Sequence, residues 1–365
     1  MITPKEHFHG SDLEKIEKVY GIKKEHITSF SANVNPLGIS PILRATLSEK
    51  IDAITGYPDR EYTSLRNSIA GYCQTDIDNV LVGNGSTELI SLFIQFISPK
   101  HSIILAPTYS EYEREISLSG GEFTYFYLEE KEDFRLNTDK LIAQLHDDID
   151  LLVLCNPNNP TSSALRTGEL NKILATCKKH NIFCLVDETY AEFAQNIEEV
   201  SAIPLVNDFN NLIVLRGISK FFAAPGLRLG YAVCSHIEVL HTINERKNPW
   251  TINTLASIAG EIMFTDTAYI KATKNLINSE RNRIQDILSP YKSIKLYPSN
   301  ANFILLKILK KDITAFTVFD AAIRKGLMIR DCSSFAGLDD SFIRFCFMSP
   351  DQNDALLEVL KVIFE

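Results

Sequence analysis

Six short runs of nearly unbroken apolar residues constrain this chain more than any other feature. They are VLV before Gly83, SIILA before Pro107, LLVLC before Asn156, IFCLV before Asp187, LIVL before Arg216 and YAVC after Gly230. Each has the length of a strand and no polar face, and amphipathic stretches separate most of them. Strands buried on both sides and alternating with helices imply an α/β fold with a parallel or mixed sheet covered on both faces. In such open sheets ligands sit outside the carboxyl ends of the strands. The residues that follow the runs are therefore the candidate site: Gly85, Ser86 and Thr87; Pro107, Thr108 and Tyr109; Asn156 to Thr161; Asp187 to Tyr190; and Gly217 to Lys220. Five strand ends deliver polar, aromatic and charged groups to one rim.

The pattern changes after Trp250. A long helical stretch over about 252–290 is followed by strand-like ANFILLKI, a helix near 315–325, strand-like LMIR and SFIRFCF, and a last helix. This reads as a smaller α+β domain. With 365 residues the chain exceeds the size at which one core usually divides into two. The expected organisation is an irregular arm over 1–45, a large domain over 46–255 and a small domain over 256–365.

Net charge is −9 and no basic stripe is visible, which argues against nucleic acid. The seven cysteines are odd in number and form no CxxC, which argues against a disulfide framework or zinc ribbon. His7 and His9 form an HxH pair without further ligands nearby, so no metal site is expected. No apolar leader or run of about 18 apolar residues occurs, and a cytoplasmic location without membrane contact is expected.

Several rim residues suit one chemistry. Lys220 lies in SKFFAAPGLRLG, where Phe221 and Phe222 would desolvate its amine and favour the neutral, nucleophilic form. Alone, it reads as a surface lysine. Asp187 could face a pyridine nitrogen, and Asn159 and Tyr190 could donate to a ring oxygen. GNGSTE follows a strand and opens a helix, an arrangement that accepts a phosphate, and Arg228 offers a fork for the same group. Tyr109 could stack on a ring. Arg330 and Arg344 are cations inside apolar strands and call for anionic partners.

In their order, NPNNPT, DETY, SKFFAAPGLRLG and a C-terminal arginine strand resemble the fold-type I enzymes dependent on pyridoxal 5′-phosphate (PLP), the aspartate aminotransferase superfamily. Within it, HGSD, FSANVNPLG, YPDREYTSLR, GNGSTE, ERKNPWTINTLA and GLMIRDCSSFAGLDDSFIRFCF are most similar to the threonine-phosphate decarboxylases of cobalamin biosynthesis. Histidinol-phosphate aminotransferases are near relatives.

The resemblance implies a three-layer αβα large domain with a mostly parallel seven-stranded sheet and a smaller α+β domain. It implies a Schiff base on Lys220, Asp187 at the ring nitrogen, Asn159 and Tyr190 at the ring oxygen, and Tyr109 on the ring. Gly85, Ser86, Thr87 and Arg228 would hold the cofactor phosphate, with Tyr57 reaching over from a partner subunit in a homodimer. Arg344 would bind the substrate carboxylate, and His9, Asn33 and Arg330 its phosphate. The implied activity is decarboxylation of L-threonine O-3-phosphate or a similar phosphorylated amino acid. The alternatives are a histidinol-phosphate-type aminotransferase and, more remotely, a non-catalytic PLP-binding regulator. Four features depart from the pattern: Ser162 stands for the usual Gly, Gly217 for Ser or Thr, Met348 for a second Arg, and HGSD for HGGD or HGGN.

Overall fold

The computed structural model describes residues 12–365. A seven-stranded sheet forms the centre. Its strands run, from one edge to the other, Val80–Gly83, Gly230–Val233, Leu212–Gly217, Phe183–Asp187, Leu151–Cys155, His101–Ala106 and Glu122–Tyr127. Gly230–Val233 pairs antiparallel with both its neighbours, and the remaining pairs are parallel. The sheet is thus mixed but mostly parallel, the class expected from the apolar runs.

Successive side chains of a strand point to opposite faces, which explains why the runs are apolar throughout. Leu151 and Val153 pack with Phe93, Tyr112 and Leu240 on one face. Leu152 and Leu154 pack with Leu170, Ile173 and Leu174 on the other. Ser86–Ile97, Glu111–Leu118 and Ile237–Arg246 are the helices of the first face; Thr63–Cys73 and Thr167–Lys179 lie on the second. The edge strand Glu122–Tyr127 is not among the six runs. It is half-exposed and alternates polar and aromatic residues, so it lacks their continuous apolar signature.

A second sheet of four strands is built from Arg330–Asp331, Phe342–Cys346, Phe303–Ile308 and Ile294–Leu296, in that order and antiparallel throughout. Helices Ala315–Ile323 and Pro350–Phe364 pack with it. The N-terminal segment is more regular than its sequence suggests. Leu13–Tyr20 is a helix closed by Gly21 in the left-handed conformation at φ 70°. Thr28–Ser29 then pairs in parallel with Leu327–Met328, which anchors the arm to the C-terminal part of the chain.

One buried ion pair fastens two neighbouring strand ends at the rim. Glu188 and Arg216 are almost fully buried. Glu188 Oε2 accepts from Arg216 Nε at 3.0 Å and Nη2 at 2.7 Å, and from Ser201 Oγ at 2.9 Å. Breaking such a pair from one side leaves a buried charge uncompensated, at a cost of about 3–5 kcal/mol, whereas replacing both by apolar groups is often neutral. Arg216→Ala is therefore expected to lower unfolding stability in urea melts by that amount. The double variant Arg216→Met/Glu188→Leu is expected to recover most of the loss.

Candidate active site

The carboxyl ends of the parallel strands converge on one rim, and each end is shaped by local chemistry. Gly85 adopts φ +84° between the strand Val80–Gly83 and the helix that begins at Ser86. A Cβ on Gly85 would lie 2.3 Å from Arg228 Nη2, and one on Gly230 would lie 2.4 Å from the Ser86 amide nitrogen. Both glycines are required by close approach. Ser86 and Thr87 open the helix, whose first amides have no partner within it, a site for an anion. Arg228, exposed and with a positive φ, lays its guanidinium against the carbonyl oxygens of Asn84 and Pro225, each at 3.4 Å. Gly85, Ser86, Thr87 and Arg228 thus form one cradle.

The NPNNPT loop is held by two of its asparagines so that the third is available. Asn156 Nδ2 donates to the Val200 carbonyl at 2.7 Å, and Asn158 Nδ2 donates to that of Pro107 at 2.9 Å. Asn159 Oδ1 instead accepts from Arg344 Nη1. Arg344 Nη2 donates to the Ser31 carbonyl at 2.7 Å. Asn33 Nδ2 donates to the Tyr190 hydroxyl at 3.3 Å, and Lys220 Nζ donates to the Ala32 carbonyl at 2.7 Å. The arm, the NPNNPT loop, the Lys220 loop and the strand Phe342–Cys346 therefore meet, and Asn33, Asn159, Tyr190, Lys220 and Arg344 form one cluster.

Arg330 lies opposite Arg344 in the antiparallel register. Its Nη2 donates to Ser334 Oγ at 2.9 Å, and its guanidinium lies over the Phe335 ring at 5.2 Å. Tyr57 stands apart, 82% exposed, with its ring 4.8 Å from that of Trp250. His9 lies outside the described residues.

Burial sets the protonation states. Desolvation, aided by the Arg344 charge, pushes the Lys220 amine down to about 8. Burial pushes the Tyr109 phenol up to about 12 and holds Tyr190 neutral as a donor. Burial also lowers Arg330.

Two groups around Asp187 were not foreseen from sequence. Asp187 Oδ1 accepts from the Thr189 amide at 2.9 Å and the Thr189 hydroxyl at 2.6 Å. Oδ2 accepts from the Tyr112 hydroxyl at 2.7 Å. Thr189 lies inside DETY but reads there as an ordinary turn residue. Tyr112 falls on the buried face of an amphipathic helix and reads as core.

The departures also have a physical setting. Ser162 has φ +60°, and its Oγ accepts from the amides of Asn300 at 2.9 Å and Ala301 at 2.8 Å. Its carbonyl also accepts from Asn300, so the hydroxyl adds two bonds that Gly would lack to a backbone tie between the NPNNPT loop and the segment entering the strand Phe303–Ile308. Gly217 has room for a side chain, since a Cβ there would meet Leu229 O at 3.6 Å and Ser86 Oγ at 3.7 Å. Met348 is half-buried, with its sulfur 3.6 Å from Cys346 Sγ.

These features fit PLP: a desolvated lysine amine, a glycine cradle at a helix start, and buried polar atoms without partners at Asn33 Oδ1 and Arg344 Nε. The fold and rim define a fold-type I PLP-dependent enzyme. Residues 25–360 match the family described as aminotransferase class I and II, and the chain belongs to it. It is 34% identical over 353 residues to the threonine-phosphate decarboxylase of Salmonella typhimurium, covering 97% of this chain and 95% of that protein. The crystal structure of the histidinol-phosphate aminotransferase from Clostridium acetobutylicum superposes with a TM-score of 0.85 at 30% identity, covering 92% of this chain and 98% of that one. The histidinol-phosphate aminotransferase of Sinorhizobium meliloti, solved with pyridoxal-5′-phosphate, shares the fold at a TM-score of 0.86 and 21% identity, with 99% of this chain and 98% of that one covered.

Two expectations follow. The rate at which the apo-protein takes up PLP should track neutral Lys220, rising with pH and levelling above about 8 rather than above 10, as stopped-flow absorbance would show. Gly217→Ser should fold unchanged and bind PLP several-fold tighter, since it adds a hydroxyl donor of about 1 kcal/mol or more beside the cradle; equilibrium dialysis measures this.

Proposed function

We propose that this enzyme decarboxylates L-threonine O-3-phosphate to (R)-1-amino-2-propanol O-phosphate for cobalamin biosynthesis. The observation that carries this reading is the pair of buried guanidiniums, Arg330 and Arg344, on facing positions of one antiparallel ladder. Like charges so placed repel, and an anionic ligand would relieve that repulsion at Arg344, whose side-chain partners are the neutral Asn159 and Ser31 oxygens and whose Nε has no partner. Threonine phosphate brings both a carboxylate and a phosphate. Similarity to the Salmonella decarboxylase at 34% identity supports the same reading.

The family pattern and the cluster on the rim support the following roles. Lys220 would carry the cofactor, Asp187 would serve its ring nitrogen, Asn159 and Tyr190 its ring oxygen, and Tyr109 its ring face. Gly85, Ser86, Thr87 and Arg228 would hold its phosphate. When bound, PLP supplies an electron sink conjugated to the substrate amine. Arg344 grips the substrate carboxylate and fixes the Cα–carboxylate bond in space; Arg330, with Asn33 and His9, holds the phosphate at the other end. As that bond breaks and CO₂ leaves, a proton must reach Cα. Lys220 Nζ, whose basicity burial lowers to about 8, would supply it.

A second reading, a histidinol-phosphate-type aminotransferase, is favoured by Met348 standing where a second arginine is common, and by the 30% identical Clostridium structure. Histidinol phosphate has no carboxylate for Arg344, so that reading requires Arg344 to serve the amino-acid or 2-oxo-acid partner alone. Tyr57 and the exposed Ile42, Ile51, Ile54 and Trp250 would be covered in a homodimer, with Tyr57 reaching a partner's site. Seven free, buried cysteines suit a reducing cytoplasm, and no helix among the described residues is long and apolar enough to cross a membrane.

Purified holoenzyme incubated with L-threonine O-3-phosphate should release CO₂ and aminopropanol phosphate without any 2-oxo acid. Turnover that requires 2-oxoglutarate and shows ping-pong kinetics would favour the aminotransferase instead. Arg344→Ala should lower kcat/KM for threonine phosphate by ~10²-fold or more, the usual effect of losing a buried charge-assisted contact.

A further inference from the structure

The structure assigns a cofactor-tuning role to Tyr112: its phenol and Thr189 together dictate which oxygen of Asp187 is open to the PLP ring nitrogen and how much charge that oxygen offers it. The inference rests on the placement of the ring nitrogen at Asp187 put forward above.

The argument begins with lone pairs. Each carboxylate oxygen offers two good acceptor directions in its plane. Asp187 Oδ1 accepts two hydrogen bonds, from the Thr189 amide at 2.9 Å and the Thr189 hydroxyl at 2.6 Å. Oδ2 accepts one, from Tyr112 at 2.7 Å. Oδ1 is saturated by a residue two positions away in the same turn. Oδ2 keeps one direction open, so Oδ2 is the oxygen that receives the ring N–H.

Tyr112 is then bonded to the same atom as the cofactor. Its ring is 1% exposed and fixed on the buried face of the helix Glu111–Leu118, so water cannot replace its hydroxyl. Burial and the Asp187 charge raise the Tyr112 phenol well above its usual range, which keeps it a donor. A donor on Oδ2 withdraws charge from it. Less charge is then left on that oxygen to draw the proton off the ring nitrogen. The positive charge that makes the ring an electron sink is thereby kept on the ring.

Tyr112 has a second contact with the site. Its ring meets that of Tyr109 edge to face, with centroids 5.6 Å apart at 85°. One side chain therefore braces both Tyr109, which covers the ring, and Asp187, which meets the ring nitrogen. Tyr112 acts through these residues and is a positioning residue.

Tyr112→Phe keeps the ring and its packing and removes only the hydroxyl. Oδ2 then loses its donor, keeps more charge and draws the ring proton toward itself. With less positive charge on the ring, the protonated Lys220–cofactor linkage is stabilised. In the holoenzyme, the pH midpoint of the bound cofactor's near-visible absorbance should move up by about half a unit or more. A midpoint that stays in place or moves down overturns the proposal. If Tyr112→Phe fails to fold or to load PLP, Thr189→Ala reads the same property from the other oxygen: an upward shift supports the proposal, and an unmoved midpoint overturns it. Asp187→Asn, run in parallel, separates the two levels of the argument. If it leaves the midpoint and PLP affinity unchanged, the ring nitrogen is not at Asp187 and the placement itself fails. If it changes them while Tyr112→Phe does not, only the role of Tyr112 fails.

Discussion

The site depends on the buried ion pair between Glu188 and Arg216. These residues adjoin Asp187 and Gly217, at the carboxyl ends of two neighbouring parallel strands. Both charges are out of water, and such a pair persists only when its hydrogen bonds are satisfied. Here Arg216 donates twice to Glu188, and Ser201 and the Ala202 amide add further donors. The pair fixes where two strand ends lie relative to each other. The carboxylate next to Glu188 and the lysine four residues past Arg216 inherit that register.

The second constraint is the positive charge of Arg344, whose side-chain partners are neutral oxygens. Arg344 and Arg330 face each other across a ladder, and the Arg344 charge also helps to depress Lys220. Arg344 is held by neutral oxygens, the Asn159 side chain and the Ser31 carbonyl, and its Nε has no partner. Neutral acceptors orient a guanidinium without cancelling its charge. A cluster built this way favours an anionic ligand, and the same arginine helps to lower the lysine amine.

Some of this was legible in the sequence because it is local. The apolar runs announced six strands, since a strand buried on both faces needs no polar side chain. GNGSTE announced a turn into a helix, and NPNNPT a tight loop. The edge strand Glu122–Tyr127 was not legible in this way, because its outer face is wet and its pattern is mixed. The helix Leu13–Tyr20 was hidden in a segment rich in turn residues. Tyr112 gave no signal: a tyrosine on an apolar helix face reads as packing until Asp187 is seen 2.7 Å from its hydroxyl. Ser162 was visible as a departure, but its bonds to Asn300 and Ala301 span about 140 positions of chain and could not be anticipated.

The sequence by itself determined the sheet class, the rim on which chemistry occurs, and the lysine among phenylalanines that resembles a PLP carrier. These follow from hydropathy period and from residues placed next to strand ends, which are properties of short segments. Only the tertiary structure decided that Asn33, Asn159, Tyr190, Lys220 and Arg344 share one cluster, that Arg330 and Arg344 oppose each other, and that Asp187 has one open acceptor direction. These depend on distance and hydrogen-bond direction between segments far apart in the chain, which no local pattern encodes. The candidate lysine was thus readable from its neighbours in sequence. Its lowered basicity came from burial and from an arginine 124 residues away in the chain.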